Sequence, residues 1–139
     1  MRSPASPRYL LDTNTCIRYL NGRAPKIRER LRAVSHAQVA VCAIVKAEMF
    51  AGARRSTDVS RTSERQQDFL TQFVSLPFDD AAADACGRIQ ARLLTKGTPI
   101  GPNDLLIAAI AVANGLTLVT HNTGEFSRVP ELTLDDWEA

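Results

Sequence analysis

Three short apolar runs, Tyr9-Leu10-Leu11, residues 39–45 and residues 116–120, alternate with stretches of helical spacing along 139 residues. That alternation limits the possible fold more than any other feature. Parallel neighbouring strands need a crossover long enough to hold a helix, and a sheet connected in this way is covered on both faces. The chain therefore predicts an α/β fold with a mostly parallel sheet. It contains no internal repeat or linker, so residues 9–139 form a single domain behind a flexible lead-in over residues 1–8.

Local signals punctuate this pattern. The run 9–11 stops at Asp12-Thr13-Asn14, residue types that cap a following helix. Residues 23–32 are basic, with Ile27 and Leu31 four apart, as in a half-buried helix. Residues 39–45 read as a buried strand feeding a helix that stops near Gly52. The Ser/Thr/Arg-rich stretch 56–63 reads as a loop, followed by a helix carrying Phe69, Leu70 and Phe73. After the short extended segment 76–78, Asp79-Asp80 open a helix over 81–96 that ends at Gly97. Pro102 and Asp104 open another, whose all-apolar run 105–113 demands burial. Residues 116–120 form a strand, 121–126 a loop and 129–134 an edge strand.

Composition excludes several classes. The apolar run 105–113 is far shorter than the roughly 20 residues a membrane-spanning helix needs. Residues 1–8 carry two prolines and two arginines and no apolar stretch, unlike a secretory signal. Cys16, Cys42 and Cys86 are too few and too scattered for a disulfide framework or a zinc knuckle, and read as free thiols of a cytoplasmic protein. With 17 basic and 15 acidic residues the net charge is only +2, which announces no polyanion partner on its own. Withdrawing a few acids into one cleft would leave the rest of the surface distinctly basic.

Ligands of open α/β sheets bind beyond the carboxyl ends of the strands, and four acids fall there or at helix starts. Asp12 ends the first strand, Glu48 follows the second, Asp104 opens the apolar helix and Glu125 follows the fourth strand. Singly, each reads equally well as a helix cap or a surface charge. Together, carboxylates crowded into one cleft repel unless a cation neutralises them. Oxygen ligands without a His or Cys cluster favour Mg²⁺ or Mn²⁺ over zinc. Asn14, Thr120 and Asn122 are polar neighbours able to orient carboxylates or touch a phosphate. Asp104, in the first turn of its helix, should feel a dipole that favours its ionised form. Glu125, beside Gly124 in the loop, should be the least fixed of the four.

Four segments resemble, in order, the motifs of the VapC branch of PIN-domain ribonucleases. They are Leu10-Leu11-Asp12-Thr13-Asn14, Glu48-Met49-Phe50-Ala51-Gly52, the stretch from Ile100 through Asp104 to Ala109, and the stretch from Leu118 to Phe126 that contains Thr120, Asn122 and Glu125. The resemblance implies a three-layer α/β/α PIN-like fold and a Mg²⁺-dependent endoribonuclease toxin cutting RNA of the tRNA or rRNA class. It further implies Asp12, Glu48, Asp104 and Glu125 as catalytic and metal-binding residues, a VapB-like antitoxin as partner, and a homodimer. A non-catalytic RNA- or protein-binding module on the same scaffold is the alternative, recognisable by loss of acids. The chain departs from the family pattern at Ala43 and Val45, where Ser or Thr would cap the helix bearing Glu48.

Overall fold

The computed structural model describes residues 6–139, so most of the lead-in expected over residues 1–8 lies outside the described residues. Arg8 is already tied into the sheet: its amide donates to Gln38 and its carbonyl accepts from Thr117. Five strands, β1 (Tyr9–Leu11), β2 (Val39–Cys42), β3 (Val74–Leu76), β4 (Thr117–Val119) and β5 (Thr133–Asp135), form one sheet in the order β3-β2-β1-β4-β5. Every pairing is parallel. Helices α1 (Thr13–Leu20) and α2 (Pro25–Ala33) connect β1 to β2, and α3 (Ala43–Arg54) and α4 (Val59–Leu70) connect β2 to β3. Helices α5 (Asp80–Lys96) and α6 (Pro102–Ala113) connect β3 to β4, and the one-turn α7 (Thr123–Phe126) precedes β5.

The first two crossovers step outward from β1, and the third steps back across it to β4. With right-handed crossovers this reversal puts α1 to α4 on one face and α5 and α6 on the other, giving three layers. It also makes the β1/β4 junction the point where the strand order switches, and the crevice beyond such a junction is where this architecture binds ligands.

Burial explains the central elements. Leu10, Leu11, all of β2, Leu118 and Val119 are fully enclosed. In α6, Ile107 through Ala111 are buried without a break, as its apolar circumference requires. α5 keeps its expected limits, with Asp79 accepting from the Ala82 amide at 3.0 Å and Gly97 closing it in the left-handed conformation.

Several boundaries differ from the expectation: the extended segment expected over 76–78 is β3 at Val74–Leu76, since Pro77 cannot donate to a ladder, and the loop expected over 121–126 contains α7. The strand over 39–45 ends at Cys42, because Ala43, Ile44 and Val45 turn into the first turn of α3. Their β-branched apolar character serves a buried helix face as well as it serves a strand. Gly52 does not stop α3, which continues to Arg54. The polar stretch 56–63 is helical from Val59, started by Asp58 accepting from the Arg61 amide. The edge strand expected over 129–134 is β5 at Thr133–Asp135, while Val129 and Leu132 close a turn with their side chains in the core. All three cysteines are free; Cys16 and Cys42 are buried and Cys86 is half-buried. Among the described residues no helix is long and apolar enough to cross a membrane.

Candidate active site

The site starts at the switch point. The Asp12 amide donates to Val119 across the end of β1 and β4, locking the two strand ends together. Asp12 is only 5% exposed and accepts from the Thr15 amide at 2.8 Å, so it caps α1. The cap reading of this residue is therefore met, and its carboxyl stands at the switch point where the site reading places it. Burial pushes its carboxyl above the usual carboxylate range, partly offset by hydrogen bonds from Thr120 and Thr15.

Glu48 comes from the second turn of α3 and is held by the Thr13 hydroxyl, which donates to its Oε1 at 2.6 Å. That helix has no side-chain cap, as Ala43 and Val45 in place of hydroxyl residues led one to expect.

Asp104 sits in the first turn of α6. The helix dipole alone would hold it ionised, but the opposite is found. Its pKa is pushed up to about 6 by burial first, then by the charges of Glu125, Asp12 and Glu48. The sheet and helix starts thus bring Asp12, Glu48 and Glu125 each within electrostatic reach of Asp104.

Glu125 departs from its expected looseness. It lies in α7, where the Gly101 amide donates to Oε1 at 2.7 Å and the Asn122 side-chain amide to Oε2 at 2.9 Å. The Gly101 amide, then Asn122, hold its pKa below the ordinary value. A methyl group on Gly101 would lie 3.6 Å from Glu125 Oε1 and 3.7 Å from Asp104 Oδ2, so both carboxylates border the space that this glycine leaves open.

The three neutral residues divide. Asn14 is exposed and lines an open cleft with Asn122, Arg18 and His121, within reach of a substrate. Asn122 also spends its side-chain donor on Glu125. Thr120, expected to bind substrate, is 0% exposed and cannot touch one. Its hydroxyl instead bridges the Asn122 amide, from which it accepts at 3.0 Å, and the Asp12 carboxyl.

Three contributors escaped the sequence reading. Thr13 carries the hydrogen bond to Glu48, and the Gly101 amide that to Glu125. Glu138 adds negative charge near Asp12 while pairing with Arg18 at 2.6 Å. Thr13 and Gly101 lie inside the motifs, but a hydroxyl or an amide has no pattern marking its partner 24 or 35 residues away. The terminal segment carrying Glu138 reaches the site only through the pairing of β4 with β5.

The donor set is all oxygen: four carboxylates, with hydroxyls behind two of them and no His or Cys among them. Among the described residues no group of three or more His, Cys, Asp or Glu side chains is close enough to hold a metal ion by itself. All-oxygen donors are the chemistry Mg²⁺ takes, commonly with one or two carboxylates and with waters or substrate phosphates as its other ligands. A cation there would answer the crowding that raises Asp104.

The PIN domain model matches residues 9–132. The chain belongs to the PIN-domain family, in its VapC branch. It is 36% identical over 130 residues, 94% of this chain and 98% of the relative, to the tRNA(fMet)-specific endonuclease VapC of Salmonella typhimurium. Against ribonuclease VapC2 of Rickettsia felis the identity is 34% over 131 residues, again 94% and 98% of the two chains. The crystal structure of DNA-bound VapBC from Salmonella typhimurium contains a chain with a TM-score of 0.90 to this one at 36% identity, covering 94% of this chain and 98% of that chain.

Proposed function

We propose that the protein is a Mg²⁺-dependent endoribonuclease, with Mn²⁺ as a substitute ion, and that it is the toxin of a toxin–antitoxin pair acting on RNA of the tRNA class. The observation that carries this reading is the gathering of Asp12, Glu48 and Glu125 around Asp104 beyond the β1/β4 junction, where burial and then the charges of these three raise Asp104 to about 6. The relatives named as tRNA-specific endonuclease and as ribonuclease support the reaction class and the choice of tRNA over rRNA.

Bound Mg²⁺ would supply an acidified water and charge stabilisation on the phosphate. Asp12 and Asp104, set by β1 and by the first turn of α6, are the residues to hold it. Glu48, steadied by Thr13, and Glu125, steadied by Gly101 and Asn122, are placed to orient the attacking water or its proton. Asn14 faces the open cleft as a hydrogen-bond donor to the RNA backbone.

The partner reading is a VapB-like antitoxin, supported by the solved VapBC relative. A groove between α1, α3 and α4 is lined by Ile17, Leu20 and Met49 together with Glu48, Gln66 and Arg65, the last turned to the Leu20 carbonyl. Gln66 Oε1 is buried and, among the described residues, without a hydrogen-bond partner. Apolar walls with the Glu48 carboxylate among them suit an apolar peptide segment carrying a basic side chain toward that residue. The toxin itself is proposed to act as a homodimer, which sedimentation of the purified chain checks.

The test incubates purified protein with total cellular RNA, with Mg²⁺ or with chelator, and maps the new 5′ ends. Discrete cuts in tRNA that need Mg²⁺ support the reading, and cutting that survives rigorous chelation sinks it.

A further inference from the structure

A second pocket lies on the face covered by α1 to α4, at the far end of α1 from the acids, between α2, the 3₁₀ turn His36–Gln38 and the end of α4. Its floor is aromatic. Tyr19 stacks on Phe69 at 5.0 Å between ring centroids, Phe69 meets Phe73 edge-on at 5.0 Å, and His36 meets Phe73 edge-on at 5.2 Å. Arg28 and Arg32, one helical turn apart on α2, form the rim, and no carboxylate lines the pocket.

Six arginines are engaged: Arg18 with Glu138, Arg30 with Asp135, Arg88 and Arg92 with Glu131, Arg65 with the Leu20 carbonyl and Arg128 with the Pro99 carbonyl. The side chains of Arg28 and Arg32, like those of Arg23, Arg54, Arg55 and Arg61, have no ion pair or hydrogen bond among the described residues, and of these only Arg28 and Arg32 line a pocket together. Two guanidinium forks on adjacent turns, with an exposed imidazole beside them and no counter-charge, match the phosphate oxygens of a polyanion. The rigid ring floor restricts the side chains that close over it.

We propose that this pocket is an RNA-backbone site, taking a phosphate of the substrate away from the scissile bond. It rests on the endoribonuclease reading and adds to it a place where the RNA is held. Helix α1 links the two: Thr13 at its start holds Glu48 and Tyr19 near its end floors the pocket. Eight residues of helix span only about 12 Å, so one strand can reach both.

The experiment measures binding of a fluorescently labelled tRNA by anisotropy in chelator, so that no cleavage is needed, across roughly 50 to 200 mM salt. It compares the wild-type chain, Arg28→Gln/Arg32→Gln, and Arg54→Gln/Arg55→Gln, which removes equal charge at the exposed end of α3. Each phosphate contact contributes about one unit to the slope of log affinity against log salt. The pocket variant is expected to bind more weakly and to lose about two units of slope, a difference of about tenfold over this range. The α3 variant is expected to keep the wild-type slope. Equal slopes for the wild type and the pocket variant, or equal losses in both variants, overturn the proposal. So does a pocket variant that binds RNA normally but no longer binds a purified antitoxin, because the occupant is then a protein. A wild-type chain with no salt-dependent RNA binding instead contradicts the endoribonuclease reading itself.

Discussion

Asp104 shows how little of a residue's chemistry lies in its own position. A carboxylate in the first turn of a helix reads from sequence as a stabilised anion, and the structure instead makes it easier to protonate, first because it is buried and then because the charges of Glu125, Asp12 and Glu48 act on it. The consequence for stability follows from linkage. A carboxyl whose pKa rises from 3.8 unfolded to about 6 folded favours the fold at low pH, and that contribution is lost as pH climbs through this window. In chelator, Asp104→Asn should therefore melt above the wild type at pH 7.5 and show no advantage near pH 4. If Mg²⁺ binds as proposed, it should raise the melting temperature of the wild type through preferential binding to the native state, and the variant should lose that rise. A variant that still gains from Mg²⁺ would remove Asp104 from the ion's ligands. At Glu125 the structure reverses an expectation: with donors against both oxygens, Glu125→Gln sets an amide hydrogen against Gly101 or Asn122 and should cut activity as severely as a lost ligand. Near-normal cleavage rates for this variant would show that the two hydrogen bonds are incidental.

At the scale of elements, α1 carries two duties through one residue. Asp12 caps its amide end and faces the acid cleft, so Asp12→Ala should cost about 1 kcal/mol of stability from the lost cap, whereas Asp12→Asn keeps an accepting oxygen and should unfold close to the wild type. Urea midpoints of the two variants check this, and equal losses would contradict it. The elements themselves were legible wherever a terminus has its own chemistry: Asp79 and Gly97 bracket α5, and Pro102 opens α6. They were illegible where apolar residues run across a boundary. Ile44 and Val45 pack on the core from a helix as they would from a strand, while Ala43 at the boundary is exposed, and nothing local in the sequence separates the two. Gly52 and the polar 56–63 stretch read as breakers, yet α3 and α4 pass through them because tertiary packing outweighs the roughly 1 kcal/mol that a helical glycine costs. The acids were legible because strand ends and helix starts mark positions. Of their supports, Thr120 and Asn122 were legible as polar neighbours after the fourth strand, whereas Thr13 and Gly101 were not, since hydrogen-bond partners are chosen by the folded topology.

Across the whole molecule, the terminal segment closes what the first strand begins. Trp137 is 2% exposed, meets Tyr9 edge-on at 5.2 Å, lies under Arg30 and donates to Asp135 at 3.0 Å. Trp137→Ala should cost about 3–5 kcal/mol and disturb β5, whose Asp135 carbonyl accepts from the Thr120 amide beside Asp12. A urea midpoint near the wild-type value would show that the tail is dispensable. The near-neutral charge balance likewise has an anatomy: acids gather at the switch point, while unpaired arginines border the second pocket. The most direct test of the proposed chemistry is the single-turnover rate of tRNA cleavage as a function of Mg²⁺ concentration for the wild type, Asp12→Asn and Asp104→Asn. A saturable Mg²⁺ dependence in the wild type and a loss of a hundredfold or more in both variants, on the order of 3 kcal/mol in the barrier, is the expected result. Cleavage by either variant at near the wild-type rate, or wild-type cleavage indifferent to Mg²⁺, would contradict it.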